Sequence, residues 1–225
     1  MPGTFTSSLI SIFSMLGKMN LDLPWLDLFG GIKKIGQRVM QKVYPGEMYT
    51  VLEYDSTLEL HDFKGKRATY RKHQKVRYLQ DNIIAFEDQA WGDGEILAGY
   101  KCSPGVPVDQ YRLDYKTFIL ISLREVRNKG DNDDFNIEWG IRGGFLRQTE
   151  QWGTEIRRPV SKLKVSVIFP NKRPPQRMAV IEKSRQRRFG LGNKAIQQLP
   201  DGRWRVTWEK NNPRRSETYL LEWRW

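Results

Sequence analysis

The chain has 225 residues, of which 39% are hydrophobic and 28% charged, and it includes eight Trp, nine Tyr and ten Phe. This apolar surface is enough to offset the conformational entropy of at least one core, which excludes a wholly disordered chain. No apolar run reaches the roughly 18–20 residues of a membrane-spanning helix. Cys102 is the single cysteine, so an intrachain disulfide framework and a cysteine-based zinc site are excluded and a cytoplasmic location is expected.

The positive charge is concentrated near the end of the chain. Residues 1–48 carry five basic and three acidic side chains, and residues 49–155 carry 15 basic and 18 acidic ones. Residues 156–225 carry 18 basic and five acidic side chains, which accounts for the net charge of +12. A partner with negative charge is therefore expected to meet the last third of the chain.

Residues 1–46 are predicted to form an amphipathic helical segment. Apolar residues follow helical spacing after Pro24, and basic residues occupy much of the remaining surface. The predicted docking helix comprises Leu28, Phe29, Ile32, Lys33, Lys34, Ile35, Arg38 and Val39. Such a helix can pack on its own domain, form a homo-oligomer, bind a partner protein or lie on an anionic membrane surface.

Beyond this segment the hydrophobic period changes from 3.6 to 2, which indicates β-strands. The predicted strands cover residues 52–60, 68–78, 83–87, 117–126, 135–141, 163–169, 204–208 and 219–225. Residues 89–109 are rich in Gly and Pro and are predicted to be a long loop around one short strand. The predicted fold is mainly β, an antiparallel β-sandwich or open barrel of about ten strands over residues 47–225.

An acidic stretch at residues 87–95 is the candidate for a metal site or an enzyme active site. Asp88, Asp93 and Glu95 would converge there if Gly92 and Gly94 allow the chain to fold back. A metal-dependent enzyme that uses these carboxylates is one alternative function. The other interpretation is a solvated turn, because Asp-Gly pairs are common turn formers.

The remaining catalytic signals are weak. His61 and His73 lack a third ligand for a catalytic zinc ion, and Cys102 lies in a predicted turn rather than at a helix start. No glycine-rich segment has the lysine and hydroxyl residue of a phosphate-binding loop. No cofactor is expected, and a non-enzymatic protein is favoured.

The basic third of the chain is the strongest indication of a partner. Its candidate binding residues are Arg157, Arg158, Lys172, Arg173, Arg177, Arg185, Arg187, Arg188, Arg203, Arg205, Arg214 and Arg215. A β surface with these cations could neutralise several phosphates of a nucleic acid, and nearby aromatic rings could stack on bases. An acidic protein partner and a solvated face without a specific partner are the alternatives.

Four segments resemble a group of uncharacterised bacterial β-rich proteins of about this length. They are residues 77–86, 90–95, 102–109 and 165–170. The resemblance covers about residues 49–225 and implies a bacterial source and a β fold, without an assigned activity or site residue. The leading hypothesis is therefore a binding or effector module with a basic β surface. A peripheral membrane protein that uses its N-terminal helices is a further alternative.

Overall fold

The computed structural model describes residues 47–225, and β-strands occupy most of this range. The strands are β1 Tyr49–Leu60, β2 Arg67–Tyr78, β3 Ile83–Ala90, β4 Glu95–Ser103, β5 Val106–Leu113, β6 Lys116–Arg127, β7 Asn132–Arg142, β8 Thr149–Glu155, β9 Val160–Phe169, β10 Gln176–Glu182, β11 Arg187–Gly190, β12 Ile196–Gln198, β13 Trp204–Asn211 and β14 Thr218–Arg224. A 3₁₀ turn spans Asn193–Ala195. No helix among the described residues is long and apolar enough to cross a bilayer.

The largest sheet contains seven strands in the order β12-β13-β9-β1-β2-β7-β4. β1 pairs with β2 as an antiparallel hairpin, which places Leu58 opposite Tyr70. β1 also pairs with β9 in parallel, which places Leu58 opposite Val167. Because side chains alternate along a strand, these three apolar residues share one face of the sheet.

Two smaller sheets cover this apolar face. The three-stranded sheet, β3-β6-β5, contributes Phe86, whose ring stacks on Phe135 of β7 at 4.0 Å between centroids. The four-stranded sheet, β11-β10-β14-β8, contributes Trp223, whose ring lies 5.4 Å from that of Phe169. Phe86, Phe135 and Trp223 are buried in one continuous core to which all three sheets contribute. Burial of this apolar surface is the main driving force for folding.

The opposite face of the seven-stranded sheet is polar and carries charges of both signs. Lys164 of β9 pairs with Asp55 of β1 at 2.9 Å, and Lys162 pairs with Glu209 of β13 at 3.8 Å. Alternation of apolar and charged residues along each strand produces this separation of the two faces.

The predicted mainly β fold is confirmed, with three differences. Among the described residues there are 14 strands rather than about ten, and the β1–β9 pair is parallel, so the arrangement is not antiparallel throughout. Two strands, β4 and β5, form where a loop at 89–109 around one short strand was predicted. Gly and Pro are tolerated there because the pairing of β4 is irregular, and Pro107 lies in an edge strand. The predicted helical segment 1–46 lies outside the described residues.

Gly65 allows the β1–β2 turn to approach the chain before β8. Its φ is +68°, and a Cβ atom there would lie 1.7 Å from the Phe145 carbonyl oxygen. Gly65→Ala should therefore lower the free energy of unfolding by more than the ~1–2 kcal/mol that left-handed backbone alone costs. Gly143→Ala is the control, because Gly143 has the same φ of +68° and no atom lies within 4 Å of the position that a Cβ atom would take. Urea denaturation measures the free energy of unfolding of both variants. Equal losses of stability would show that the close approach to Phe145 does not matter.

Candidate nucleic-acid interface

Half of the predicted basic residues pair with carboxylates. The ion pairs are Arg157–Glu87 at 3.0 Å, Arg158–Glu47 at 3.8 Å, Arg185–Glu182 at 3.7 Å, Arg188–Glu222 at 2.9 Å, Arg203–Asp201 at 2.7 Å and Arg215–Glu47 at 2.6 Å. Arg203 also pairs with Glu59. Burial acts to raise the pKa of Glu59, but Arg71 and Arg203 hold it below its ordinary value. These cations are therefore partly neutralised within the fold.

The other half form no ion pair with any described residue. They are Lys172, Arg173, Arg177, Arg187, Arg205 and Arg214. Arg205 lies on β13 in the seven-stranded sheet, whereas Arg177 and Arg187 lie on β10 and β11 in the four-stranded sheet. The residues of the predicted basic β surface are therefore distributed over two sheets and the loops.

Lys172 and Arg173 join other cations where several loops meet. We call this place the loop end and define it as residues 61–66, 143–148, 170–175 and Trp225. Backbone hydrogen bonds hold it together, from Gly143 N to Lys66 O at 2.7 Å and from Trp225 N to Gln148 O at 3.2 Å. These residues include five Lys or Arg side chains and one Asp.

Arg173 connects three parts of the loop end. Its guanidinium lies over the Trp225 ring, with Cζ 3.7 Å from the centroid. Its Nη1 donates a hydrogen bond to the Phe63 carbonyl oxygen at 2.5 Å. Burial lowers the pKa of Arg173, while Glu150 and Asp62 act in the opposite direction. The stacked guanidinium stays charged and is fixed in position.

Asp62, the one carboxylate side chain among the loop-end residues, is engaged by the backbone, and three lysines of the loop end have no partner carboxylate among the described residues. The side chain of Asp62 accepts hydrogen bonds from the backbone N–H groups of Lys64, Lys66 and Arg67 at 2.9, 3.2 and 2.8 Å. Burial acts to raise the pKa of Asp62, but these hydrogen bonds outweigh it and lower the pKa. Lys64, Lys66 and Lys172 are exposed, and no described carboxylate pairs with them.

The loop end also presents an aromatic ring to solvent. Phe63 is 53% exposed, and Lys64 Nζ lies 5.6 Å from its ring centroid. An exposed ring can stack on a base while the neighbouring cations contact its phosphate. Other aromatic residues near the basic part of the chain lie elsewhere: Trp152 packs on Tyr70, Trp208 packs on Tyr219, and Phe189 is 49% exposed on β11.

The three acidic candidates for a metal site do not converge in the structure. Asp88 is buried and pairs with Lys72. Asp93 pairs with Arg147 at 2.9 Å, and Glu95 pairs with Arg142 at 3.6 Å. Side chains alternate along β3, and Asp88 lies on the side that faces the core. The carboxylates of Asp93 and Glu95 are exposed and pair with different arginines. No cluster of three potential metal ligands occurs among residues 47–225.

Asp88 belongs to a buried polar cluster that the sequence reasoning missed. Lys72 and Asp88 have side-chain exposures of 3% and 1%, and the Tyr100 hydroxyl donates to Asp88 Oδ2 at 2.9 Å. Burial acts to lower the pKa of Lys72, but the charge and hydrogen bond of Asp88, together with Tyr54 and Tyr49, outweigh it and raise the pKa. Burial and Asp88 also raise the pKa of the Cys102 thiol, which makes it a poor nucleophile.

A shallow groove of about 340 Å³ crosses the polar face of the seven-stranded sheet. Arg71 lines it and pairs with Glu59 and Glu138 at 2.6 and 2.7 Å. His73 also lines it and lies 3.2 Å from Asp134. The groove is a charge-balanced surface, which suits a polyanion less well than the loop end does.

No protein-family model and no curated protein matches the chain. Solved structures match part of the chain. One is an M1 zinc metallopeptidase from Deinococcus radiodurans, with TM-score 0.47, 11% identity and coverage of 78% of this chain and 42% of that chain. Another is a putative protease from Parabacteroides distasonis ATCC 8503, with TM-score 0.46, 11% identity and coverage of 79% and 40%. The chain spans less than half the length of either protein.

Proposed function

We propose that this protein is a non-enzymatic binding module that recognises a nucleic acid through the loop end. The observation that carries the proposal is the group of cations without ion pairs, Lys64, Lys66, Lys172 and Arg173, around the exposed Phe63 ring and the Trp225 ring. Cations that are not neutralised within the protein can replace the counterions of a phosphate backbone.

The alternative partner is an acidic protein. Nucleic acid is favoured because the loop end combines point charges with aromatic and guanidinium planes, and such planes stack on bases. The cations paired with Glu47, Glu87 and Glu222 have a structural role in this proposal. The proposed location is the cytoplasm, where nucleic acids are accessible.

The salt dependence of binding tests the proposal. If four cations each neutralise one phosphate, the affinity should fall about 50- to 150-fold between 50 and 200 mM salt, because the logarithmic slope is roughly −0.7 to −0.9 per contact. Fluorescence anisotropy of a labelled mixed-sequence oligonucleotide, single-stranded and duplex, measures this. Absence of binding at 50 mM salt would reject nucleic acid and leave the acidic protein as the partner.

The predicted helical segment with Leu28, Ile32 and Val39 is proposed as a second contact, for self-association, a partner protein or an anionic membrane. It lies outside the described residues. Sedimentation of the full chain with anionic liposomes, compared with a chain that begins at Gly46, separates these possibilities. If both chains stay in the supernatant, membrane binding is rejected.

A further inference from the structure

The β1–β2 turn fixes the position of Phe63 within the loop end. The Gly65 N–H donates to the Asp62 carbonyl oxygen at 3.1 Å, so Phe63 and Lys64 occupy the two central positions of a β-turn. Arg173 Nη1 donates to the Phe63 carbonyl oxygen at 2.5 Å, which ties this turn to the loop before β10. Because the turn is already held in place, little conformational entropy is lost when a ligand contacts it.

The ring of Phe63 is open to solvent and has cations beside it. It is 53% exposed, and Lys64 Nζ lies 5.6 Å from the ring centroid. Lys66 follows on the same turn, and Lys172 precedes the arginine that holds the turn. A base that stacked on this ring would therefore have cations within reach of its phosphates.

The ring and the cations differ in what they can recognise. The phosphates of a duplex and of a single strand are both accessible, so the cations can bind either form. The π faces of bases are covered by neighbouring base pairs in a duplex, whereas an unpaired base can turn outwards and stack on an aromatic side chain. Phe63 can therefore distinguish the two forms, and the lysines alone cannot.

Resting on the proposed function, we propose that the loop end selects single-stranded over duplex nucleic acid and that Phe63 determines this preference. One unpaired base stacks on the Phe63 ring. The phosphates on either side of that base contact Lys64, Lys66 and Lys172.

The turn has few groups left with which to read the edge of a base. The backbone N–H groups of Lys64, Lys66 and Arg67 donate to the Asp62 side chain, which occupies both its oxygens. The N–H of Gly65 donates to the Asp62 carbonyl oxygen. Stacking requires only a π face, which every base has. We therefore expect the preference for single strands to depend little on base sequence.

Three probes of equal length test the proposal: a mixed-sequence single strand, an abasic single strand and the duplex. At 200 mM salt the protein should bind the mixed-sequence strand about 5- to 150-fold more tightly than the abasic strand, which is the contribution of one stacked base. It should also bind that strand more tightly than the duplex. Equal affinity for the two single strands, or for single strand and duplex, would overturn the proposal. Absence of binding to all three at 50 mM salt would instead reject the proposed function itself.

Substitution of Phe63 locates the preference. Phe63→Leu should lower the affinity for the mixed-sequence strand to that for the abasic strand, without a change in salt slope because no charge is removed. Phe63→Trp should keep the preference. Tyr115→Leu is the matched control: Tyr115 is 61% exposed and Lys116 Nζ lies 5.3 Å from its ring, but Lys116 is paired with Glu155. Equal losses in the two leucine variants would overturn the role of Phe63.

Discussion

Lys72→Met should lower the free energy of unfolding by about 3–5 kcal/mol, because it leaves the buried Asp88 carboxylate without its counter-charge. The effect is large because both side chains are almost fully buried, at 3% and 1% exposure. Urea denaturation with a shared m value for the variant and the parent protein measures the loss.

The double variant Lys72→Met/Asp88→Leu tests whether the stability lost in Lys72→Met comes from the unpaired Asp88 charge. Replacing both charges by apolar groups is often neutral or stabilising by about 1–4 kcal/mol. Tyr100 loses its acceptor, which costs about 1 kcal/mol. We therefore expect the double variant to recover most of the stability lost in Lys72→Met. A double variant as unstable as the single one would show that packing, rather than the unpaired charge, dominates.

Lys64→Gln/Lys66→Gln/Lys172→Gln should weaken oligonucleotide binding by on the order of 10²-fold at 50 mM salt. The three side chains are exposed, and none pairs with a described carboxylate, so their removal should leave folding intact. Each lost phosphate contact should also reduce the logarithmic salt slope by about 0.7–0.9. Fluorescence anisotropy at a series of salt concentrations measures both quantities.

Much of the strand pattern is readable from the sequence, because alternation is a local property. The alternation of β1, β7 and β14 predicted strands that the structure contains. β4 and β5 were not predicted as strands, because their Gly and Pro residues are typical of loops. These residues are accommodated by irregular pairing with β7 and by an edge position, which depend on the neighbouring strands.

Alternation could also have revealed the buried polar cluster. Lys72 and Gln74 lie between Tyr70 and Val76 at the same parity, and all four side chains point into the core. Asp88 lies in the same way between Phe86 and Ala90 on β3. Alternation does not show that Lys72 pairs with Asp88, because 16 residues separate them and β2 and β3 lie in different sheets.

Only part of the loop end could be predicted from the sequence. Charge counting found Lys172 and Arg173 in the basic third, but Lys64 and Lys66 lie in a region where acidic residues outnumber basic ones. Counting also cannot show that Arg157 and Arg215 are neutralised by Glu87 and Glu47. These pairings join distant segments, so they appear only once the chain has folded.

The most direct test of the proposed interface compares two triple variants with the same change in net charge. Lys64→Gln/Lys66→Gln/Lys172→Gln removes cations from the loop end. Lys162→Gln/Arg188→Gln/Arg215→Gln removes three cations that pair with Glu209, Glu222 and Glu47. At 50 mM salt we expect a loss of about 10²-fold in oligonucleotide affinity for the first variant and less than about threefold for the second. Equal losses would show that binding follows net charge alone and would contradict a nucleic-acid site at the loop end.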